Sequence, residues 1–384
     1  MAPGAANTPA SKENRPAEPE ERSRSRGEGK RKQAEKAKRK PRDGRPRAGT
    51  IALIGRPNVG KSTLLNAMLG MRLAITSHHP QTTRDRIAAI LTVDGTQYVF
   101  LDTPGIHKAK NRLGHRMNDL ASGTAADADA VLFVVDVGRT ATPEIRQDDA
   151  EAIRAIPTDK PVVLAVNKID RVADKEKLFA YLSAYAAMRD FAAVIPISAK
   201  KRDGIDRVLD VLKSLLPEGE PLYPEDELSD RPIRFFIAEL VREQVLMRTR
   251  EEVPHGVAVT VDAYEEGKKL TRITLSVHVA KDSHKGIIIG QGGKMLAAIG
   301  TAARERAEKL LDQKVHLDIR VKATPGWFDD EARLIDLGYG DETGRPKTTK
   351  QKTNTKKKNI RGGRGDRSRG ASDSGAARND RSVE

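Results

Sequence analysis

The chain has 384 residues, a formal net charge of +15 and no cysteine. Its length suggests roughly two folded domains of ~100–200 residues each. The lack of cysteine excludes disulfide bonds and thiolate metal sites, and it fits a reducing compartment. No apolar run approaches the ~18 residues of a membrane span, and the first residues do not form the apolar core of a secretory signal. We therefore expect a soluble, cytoplasmic protein.

The excess positive charge lies at the two ends of the chain. Residues 1–49 hold 15 Lys/Arg against 7 Asp/Glu, and residues 341–384 hold 13 against 6, whereas residues 50–340 are neutral. The segments 1–48 and 341–384 are predicted to be disordered basic tails, because they contain too few apolar residues to bury a core. Basic tails on a neutral body suggest a polyanionic partner, with improved solubility as the alternative.

Residues 49–217 have the pattern of an α/β domain. The apolar runs TIALI, YVFLD, AVLFVVD, PVVLAVN and AVIPIS alternate with helical patterns that begin near 61, 113, 143, 175 and 205. Nearly continuous apolar strands separated by helices indicate a mostly parallel sheet with both faces covered. The run IAAILTV precedes YVFLD by a short turn, which predicts an antiparallel hairpin at the sheet edge.

Residues 231–340 form a second pattern, after a proline-rich acidic linker at 218–230. A helical spacing of apolar residues comes first, and alternating runs follow at 257–261 and 273–279. A glycine loop between two helices and a last alternating run complete the order α-β-β-α-loop-α-β. We predict a smaller α+β domain.

The first glycine loop is Gly55-x-x-x-x-Gly60-Lys61-Ser62, which follows the strand TIALI and opens a helix. This is the context of a phosphate-binding P-loop. Backbone N–H groups and the helix N-terminus would surround phosphate oxygens. Lys61 would reach the β- and γ-phosphates, and Ser62 would ligate Mg²⁺.

Two further segments complete a magnesium and phosphate site. In DTPG at 102–105, Asp102 would hold Mg²⁺ through water, and the Gly105 amide would contact the γ-phosphate. The long polar stretch between 70 and 87 has the length and composition of a switch. Thr83 is the residue predicted to respond to Mg²⁺ and the γ-phosphate, with Thr82 as the alternative.

The motifs NKID at 167–170 and SAK at 198–200 predict a guanine site. Both follow strands, and in such sheets the base contacts lie at the carboxyl ends of the strands. Asp170 can accept hydrogen bonds from the guanine N1–H and 2-amino groups, which adenine cannot supply. Such a site rejects the wrong base by roughly 10⁴-fold, since the carboxylate would be left unpaired.

The predicted nucleotide site therefore comprises four segments. Lys61, Thr83 and Gly105 are the predicted catalytic residues, and Ser62, Thr83 and Asp102 the predicted metal ligands. The predicted nucleotide contacts are Gly55, Arg56, Pro57, Asn58, Val59, Gly60, Lys61, Ser62, Thr63, Asp102, Thr103, Pro104, Gly105, Ile106, Asn167, Lys168, Ile169, Asp170, Ser198, Ala199 and Lys200.

Ile106 stands where Ras-type GTPases carry the glutamine that orients the attacking water. An isoleucine cannot form that hydrogen bond, so we expect slow unaided hydrolysis of ~10⁻⁴ to 10⁻² s⁻¹. GTPases with an apolar residue at this position often bind K⁺ through a P-loop asparagine, and Asn58 occupies the matching place. Stimulation by K⁺ is therefore a hypothesis.

The second glycine loop, GIIIGQGGK, lacks the spacing of a P-loop and of a dinucleotide fingerprint. It contains G-x-x-G between two helices, which is typical of the KH module that clamps single-stranded nucleic acid. A tight helix-turn-helix is the alternative. An RRM is disfavoured because the strands lack stacking aromatics. Ile287, Ile288 and Ile289 are predicted to supply an aliphatic surface for the bases. The predicted RNA contacts are Lys285, Gly286, Ile287, Ile288, Ile289, Gly290, Gln291, Gly292, Gly293 and Lys294.

A P-loop GTPase joined to a C-terminal type II KH domain resembles the Era family of bacterial ribosome-assembly GTPases. GRPNVGKSTLLNAMLG, PQTTRDRI, LDTPGIH, NKID, SAK, RFFIAELVRE, HKGIIIGQGGKML and WFDDEARLIDLGY carry the resemblance, over about residues 50–340. The long basic tails depart from it. Trp327, Leu334 and Leu337 are expected to pack the last helix against the KH domain.

The resemblance implies binding to the 3′ end of 16S ribosomal RNA and a checkpoint role in rRNA processing and 30S subunit biogenesis. It implies GTP, GDP and Mg²⁺ as ligands, hydrolysis stimulated by RNA or the ribosome, a monomer, and weak peripheral contact with the cell membrane. GTP would free the KH groove for RNA, and RNA would speed hydrolysis. The alternatives are an RNA-binding scaffold with negligible turnover, a tRNA-modification GTPase and an ATP-dependent kinase; the last is disfavoured by Asp170.

Overall fold

The structure, a computed structural model, describes residues 45–79, 81–137, 145–250 and 253–339. Nearly all of the two predicted tails lies outside these ranges. Strand β1 begins at Arg47, inside the predicted tail 1–48 and two residues before the predicted domain boundary. The reason is a tertiary contact, because the Arg47 guanidinium donates to the carbonyl of Leu216 at 2.7 Å.

The first domain is an α/β domain built on one six-stranded sheet of order β2-β3-β1-β4-β5-β6. Strand β2 is antiparallel to β3 and forms the edge hairpin that the sequence predicts, and the remaining neighbours pair in parallel. Its elements are β1 (Arg47–Ile54), α1 (Lys61–Leu69), β2 (Ile87–Val93), β3 (Thr96–Asp102), α2 (Arg112–Asp127), β4 (Ala130–Asp136), α3 (Gln147–Arg154), β5 (Val162–Asn167), α4 (Lys175–Ala186), β6 (Ala193–Pro196) and α5 (Ile205–Leu215).

Both faces of this sheet are covered by apolar side chains. Ile51 and Leu53 of β1 pack on one face with α1 and α5, whereas Ile54 and Phe133 pack on the other with α2 and α4. Parallel strands buried on both faces explain the nearly continuous apolar runs in the sequence. The polar motifs follow the carboxyl ends of β1, β3, β5 and β6, so the sheet brings them to one edge. The helix predicted to begin at 143 starts at Gln147, and residues 138–144 lie outside the described ranges.

The second domain is a KH domain with three strands and the predicted order of elements. Strands β7 and β8 pair antiparallel, and β8 and β9 pair in parallel. Helices α6 and α8 pack on the sheet through Ile237, Val241, Ile299 and Ala303. The elements are α6 (Ile233–Arg248), β7 (Val257–Glu265), β8 (Leu270–Val279), α7 (Asp282–Ile289), α8 (Lys294–Leu311), β9 (Lys314–Ala323) and α9 (Glu331–Leu334).

The predicted linker, 218–230, lies against the edge hairpin of the first domain. Gln97 accepts hydrogen bonds from the backbone amides of Leu222 and Tyr223, at 2.7 and 2.9 Å. Near the end of the linker, Ser229 forms an isolated antiparallel β-bridge with Ala89 of β2. Backbone hydrogen bonds therefore fix the path of this segment.

The C-terminal segment packs against the KH domain, as expected, and it also contacts the first domain, which the sequence did not predict. Trp327 is fully buried, and its indole N–H donates to the Gly256 carbonyl at 3.1 Å. The same apolar cluster contains Leu113 and Met117 of α2 in the first domain. Leu334 is buried there as well. Across the described ranges, no helix combines the length and apolarity needed to cross a membrane.

Candidate functional site

The P-loop connects β1 to α1 and packs closely on the loop after β5. Gly60 has φ 106°, and a Cβ placed there would lie 2.5 Å from the Asn167 side chain, so glycine is required. Lys61 turns inward, and its ammonium donates to the carbonyls of Gly55 and Arg56 at 2.9 and 3.3 Å. Burial lowers the pKa of Lys61 to about 8. A phosphate bound in the loop would raise this pKa, because its negative charge favours the protonated ammonium.

The three predicted metal ligands converge beside this loop. Ser62 Oγ lies 3.0 Å from Thr83 Oγ1 and 3.0 Å from Asp102 Oδ2, and Thr83 Oγ1 lies 3.3 Å from the same carboxylate oxygen. Burial raises the pKa of Asp102, against the opposing effect of the Lys61 charge. Its second oxygen, Oδ1, is buried without a hydrogen-bond partner among the described residues.

These oxygen donors fit a small hard cation. Hydroxyl and carboxylate oxygens are the ligands that Mg²⁺ prefers, and it usually completes its shell with phosphate and water. In the part of the chain that the structure describes, no group of three His, Cys, Asp or Glu side chains could hold a metal alone. A cation at Ser62 and Asp102 would therefore depend on the bound nucleotide for its remaining ligands.

The two candidate switch threonines face different directions. Thr83 is buried beside Ser62 and Asp102. Thr82 instead contacts its own loop, where its hydroxyl donates to the His79 carbonyl at 2.8 Å and lies 2.8 Å from Ser77 Oγ. The geometry therefore favours Thr83 over Thr82 as the residue beside the metal site.

The segment after β3 packs against the P-loop, where the phosphates are predicted to bind. A Cβ on Gly105 would lie 2.6 Å from the Pro57 backbone nitrogen, so this glycine allows the segment to pack on the P-loop. Ile106 packs against the apolar cluster of the first domain. Gln81 and His107 form a polar pair beside Gly105 that the sequence did not predict. Gln81 Nε2 lies 2.7 Å from His107 Nε2, and His107 Nδ1 lies 2.9 Å from the Gly105 carbonyl.

The guanine motifs meet at the ends of β5 and β6. Asn167 donates to the Val59 carbonyl at 2.9 Å and accepts from the Ala199 amide at 3.0 Å, so it ties the P-loop to the SAK segment. Ser198 Oγ donates to Asp170 Oδ1 at 2.7 Å, and this hydrogen bond lowers the pKa of Asp170. Asp170 is exposed and can accept hydrogen bonds from a base.

Several of the predicted contact residues have side chains that pair with other residues of the protein. The Arg56 side chain pairs with Asp136 and with Asp149, both outside the predicted site. Lys168 donates to the second oxygen of Asp136 at 2.7 Å. Asp136, at the end of β4, therefore joins the P-loop to the guanine motif. Side chains that are buried or engaged elsewhere are those of Arg56, Val59, Thr103 and Pro104.

The second glycine loop lies between α7 and α8. Gly290, Gly292 and Gly293 all have positive φ, at 72°, 59° and 76°. A Cβ would lie 2.6 Å from Met295 Cβ at Gly290 and would meet nothing within 4 Å at Gly292 and Gly293. The last two glycines therefore leave an open surface that a backbone could approach closely.

The three isoleucines before this loop do not share one role. Ile287 is 50% exposed, whereas Ile288 is fully buried in the KH core. The expectation that Ile288 offers a surface to bases was wrong, because successive residues of a helix point about 100° apart. Ile289 is half-buried, Lys285 is half-buried and Lys294 is exposed.

Known proteins match both domains. Residues 50–168 match the family of 50S ribosome-binding GTPases, and residues 252–328 match the KH domain family. The chain is 45% identical over 298 residues to the GTPase Era of Trichlorobacter lovleyi, covering 77% of this chain and 99% of that protein. It is 43% identical over 294 residues to the GTPase Era of Geotalea uraniireducens, covering 76% and 98%.

Solved structures agree with these matches. The crystal structure of Era in complex with MgGDPNP and nucleotides 1506–1542 of 16S ribosomal RNA is similar with a TM-score of 0.73 and 36% identity. A variant of Aquifex aeolicus Era bound to GDP·AlF4⁻ gives the same two values. Each similarity covers 77% of this chain and 100% of the other.

Proposed function

Because the chain belongs to the Era family of GTPases, we propose that it binds the 3′ end of 16S ribosomal RNA and acts in rRNA processing and 30S subunit biogenesis. The observation that carries this proposal is that one chain holds both a guanine-nucleotide site and an open G-x-x-G loop. An Era protein with 36% identity over all of its length binds that RNA together with MgGDPNP.

The nucleotide chemistry follows from the residues at the carboxyl edge of the sheet. We assign Lys61 to the β- and γ-phosphates, Asp170 to the guanine edge and Gly105 to the γ-phosphate through its amide. Ser62, Thr83 and Asp102 would hold Mg²⁺, which neutralises charge on the phosphates when bound. Groups held in these positions would orient the triphosphate.

We further propose that hydrolysis is slow without an activator. Ile106 is packed against apolar side chains and offers no hydrogen bond to a water. Asn58 Nδ2 donates to the His78 carbonyl at 3.0 Å, which leaves its side-chain oxygen available to a K⁺ ion. Asn58 makes K⁺ one proposed activator. RNA and the ribosome are the activators that the family resemblance implies.

The RNA contact is assigned to the loop between α7 and α8. Gly292 and Gly293 leave room for a sugar–phosphate backbone, and Lys285 and Lys294 supply positive charge on either side. The protein is proposed to act as a monomer in the cytoplasm. Peripheral membrane contact would fall to the basic tails, whose charge suits an anionic surface, and vesicle flotation tests it.

The proposal is tested by measuring phosphate release from GTP with and without RNA of the 16S 3′ end, in K⁺ and in Na⁺. We expect RNA to stimulate release and a scrambled RNA of equal length not to. Turnover that stays negligible under every condition would favour the alternative of an RNA-binding scaffold. Equal turnover in K⁺ and Na⁺, with no effect of Asn58→Ala, would remove the K⁺ hypothesis.

The RNA target is tested by crosslinking the full chain to RNA in its GTP and GDP states and sequencing the footprint. Enrichment of the 16S 3′ end in one nucleotide state supports the proposal. Enrichment of large-subunit RNA instead would overturn it and agree with the broader 50S description of the family that matches residues 50–168.

A further inference from the structure

The residues on either side of Thr83 both contact the KH domain. On one side, Arg242 of α6 donates to the carbonyl of Thr82. On the other side, the buried Arg84 guanidinium donates to the backbone carbonyls of Pro254 and His255, in the turn before β7, and of Val257, the first residue of β7. The segment that carries Thr83 is therefore bonded to the other domain through the Thr82 carbonyl before it and through the Arg84 side chain after it.

Arg242 is a fixed donor. Its side chain is only 1% exposed, and its Nε and Nη2 atoms donate to the two carboxylate oxygens of Glu239, each at 2.6 Å. Because a buried guanidinium loses its partners if it turns away, it cannot leave this position cheaply. Charge-assisted hydrogen bonds are also stronger than neutral ones. Arg242 therefore presents a rigid donor to the Thr82 carbonyl.

The next residue of α6 contacts the beginning of the same switch segment. Glu243 is 1% exposed, and its Oε1 accepts from the Thr76 amide and from Arg72, each at 3.0 Å. Its Oε2 pairs with Arg306 of α8. Two consecutive side chains of the KH domain thus contact the switch at 76 and at 82.

The ion pair between Glu243 and Arg306 connects the switch segment to the helix that follows the G-x-x-G loop. Arg306 belongs to α8, which begins at Lys294 directly after Gly293. The helix that starts at the proposed RNA loop is therefore bonded to the acid that also accepts from Thr76. A change in the position of α8 would change the partners of Glu243, and hence the start of the switch.

We propose that Arg242 is a positioning residue for GTP hydrolysis, supplied to the GTPase site by the KH domain. By holding the Thr82 carbonyl, it keeps the Thr83 hydroxyl directed at Ser62 and Asp102. This rests on the proposed role of Thr83 at the magnesium site. Since coupling between two binding sites is reciprocal, RNA bound at α8 would change how firmly Thr83 is held, and GTP would change the affinity for RNA equally.

The test compares Arg242→Met with Arg248→Met in the full-length protein. Both residues lie in α6, but Arg248 donates only to Gln244 of its own helix among the bonds that the structure describes. We measure single-turnover GTP hydrolysis against Mg²⁺ concentration, the Kd for GDP and the melting temperature. For Arg242→Met we expect hydrolysis to fall about tenfold and half-saturation to need more Mg²⁺, because the charge-assisted hydrogen bond to the Thr82 carbonyl is lost. GDP affinity should stay within about twofold.

Arg248→Met should leave all three quantities unchanged. The proposal would be overturned if a folded Arg242→Met protein hydrolysed GTP at the wild-type rate with the wild-type dependence on Mg²⁺.

If Arg242→Met loses the melting transition, Arg242→Lys replaces it. An ammonium keeps the buried charge but cannot bond both Glu239 oxygens and Thr82, so hydrolysis should fall about threefold, and an unchanged rate again overturns the proposal. Failure of RNA to bind the wild-type chain would overturn the proposed function while leaving the Mg²⁺ result standing.

Discussion

The hydroxyl of Thr83 lies 3.0 Å from the hydroxyl of Ser62, although 21 positions separate the two residues in the chain. One belongs to the switch segment and the other to the first turn of α1. Their meeting at Asp102 is the point where the P-loop, the switch and the end of β3 come together. This relationship makes the roles of individual hydroxyl groups testable.

The first prediction concerns the choice between two neighbouring threonines. Thr83→Ala removes an oxygen donor from the cluster with Ser62 and Asp102, and we expect the Mg²⁺ concentration for half-maximal GTP hydrolysis to rise about tenfold. Thr82→Ala is the matched control, because its hydroxyl contacts only Ser77 and His79 among the described residues. Equal effects of the two substitutions would contradict the assignment.

The second prediction concerns the recognition of guanine by Asp170. Asp170→Asn replaces a carboxylate with an amide that can donate to the 2-oxo group of xanthine. We expect GTP affinity to fall by roughly 10²–10⁴-fold and xanthosine triphosphate affinity to rise, since two charge-assisted hydrogen bonds to guanine are lost. Fluorescence titration of both nucleotides measures this. Asp174→Asn removes the same charge at the N-cap of α4 and should leave the preference for GTP intact.

The motifs of this site could be predicted because each is local. A P-loop needs glycines at fixed spacing after a strand, and the carboxyl ends of parallel strands meet at one edge whatever else the chain does. The contacts of Arg242 could not be predicted, because an arginine in an amphipathic helix is usually exposed. Only the folded arrangement shows that it is buried against the switch.

The other contacts that differ from the sequence-based predictions also depend on how distant parts of the chain fold together. Three consecutive isoleucines suggested one apolar surface, but the helical rotation turns only Ile288 into the core. Trp327 packs on the KH domain as expected, but the sequence does not show that α2 of the other domain also lies beside it. The pairing of Gln81 with His107 joins two loops whose relative position depends on the whole sheet.

The third prediction follows from the pKa of Lys61, which burial lowers to about 8. Only the protonated side chain attracts phosphate, and bound phosphate raises its pKa. Nucleotide affinity should therefore be nearly constant below about pH 7 and decline as the pH rises through about 8, with a loss of about fourfold at pH 8.5 relative to pH 7. Above pH 8, calorimetry in buffers of different ionisation enthalpy should show proton uptake on binding.

Lys168 provides the control for this pH dependence, because burial also lowers its pKa to about 8. Lys168→Met removes that group and should weaken binding at every pH while leaving the decline near pH 8 in place. Affinity that is flat from pH 7 to 8.5 in the wild-type protein would show that Lys61 does not titrate in this range.

The last prediction separates RNA binding from folding in the KH domain. Gly292→Asp places a carboxylate on the open surface of the G-x-x-G loop, where it would repel phosphate groups. Gly326→Asp is the matched control. Both glycines have positive φ, 59° and 69°, and at both a Cβ would meet nothing within 4 Å, so the two substitutions should cost similar backbone strain of roughly 1–2 kcal/mol. Gly326 lies outside the loop.

We expect Gly292→Asp to weaken binding of single-stranded RNA at least tenfold, since it removes close backbone approach and adds repulsion to phosphate. Gly326→Asp should bind RNA with an affinity within about twofold of the wild-type value. Anisotropy titrations at one fixed salt concentration, with thermal unfolding of both variants, measure the two effects. An equal loss of RNA affinity in both variants would mean that the charge or strain, and not the position in the loop, is responsible.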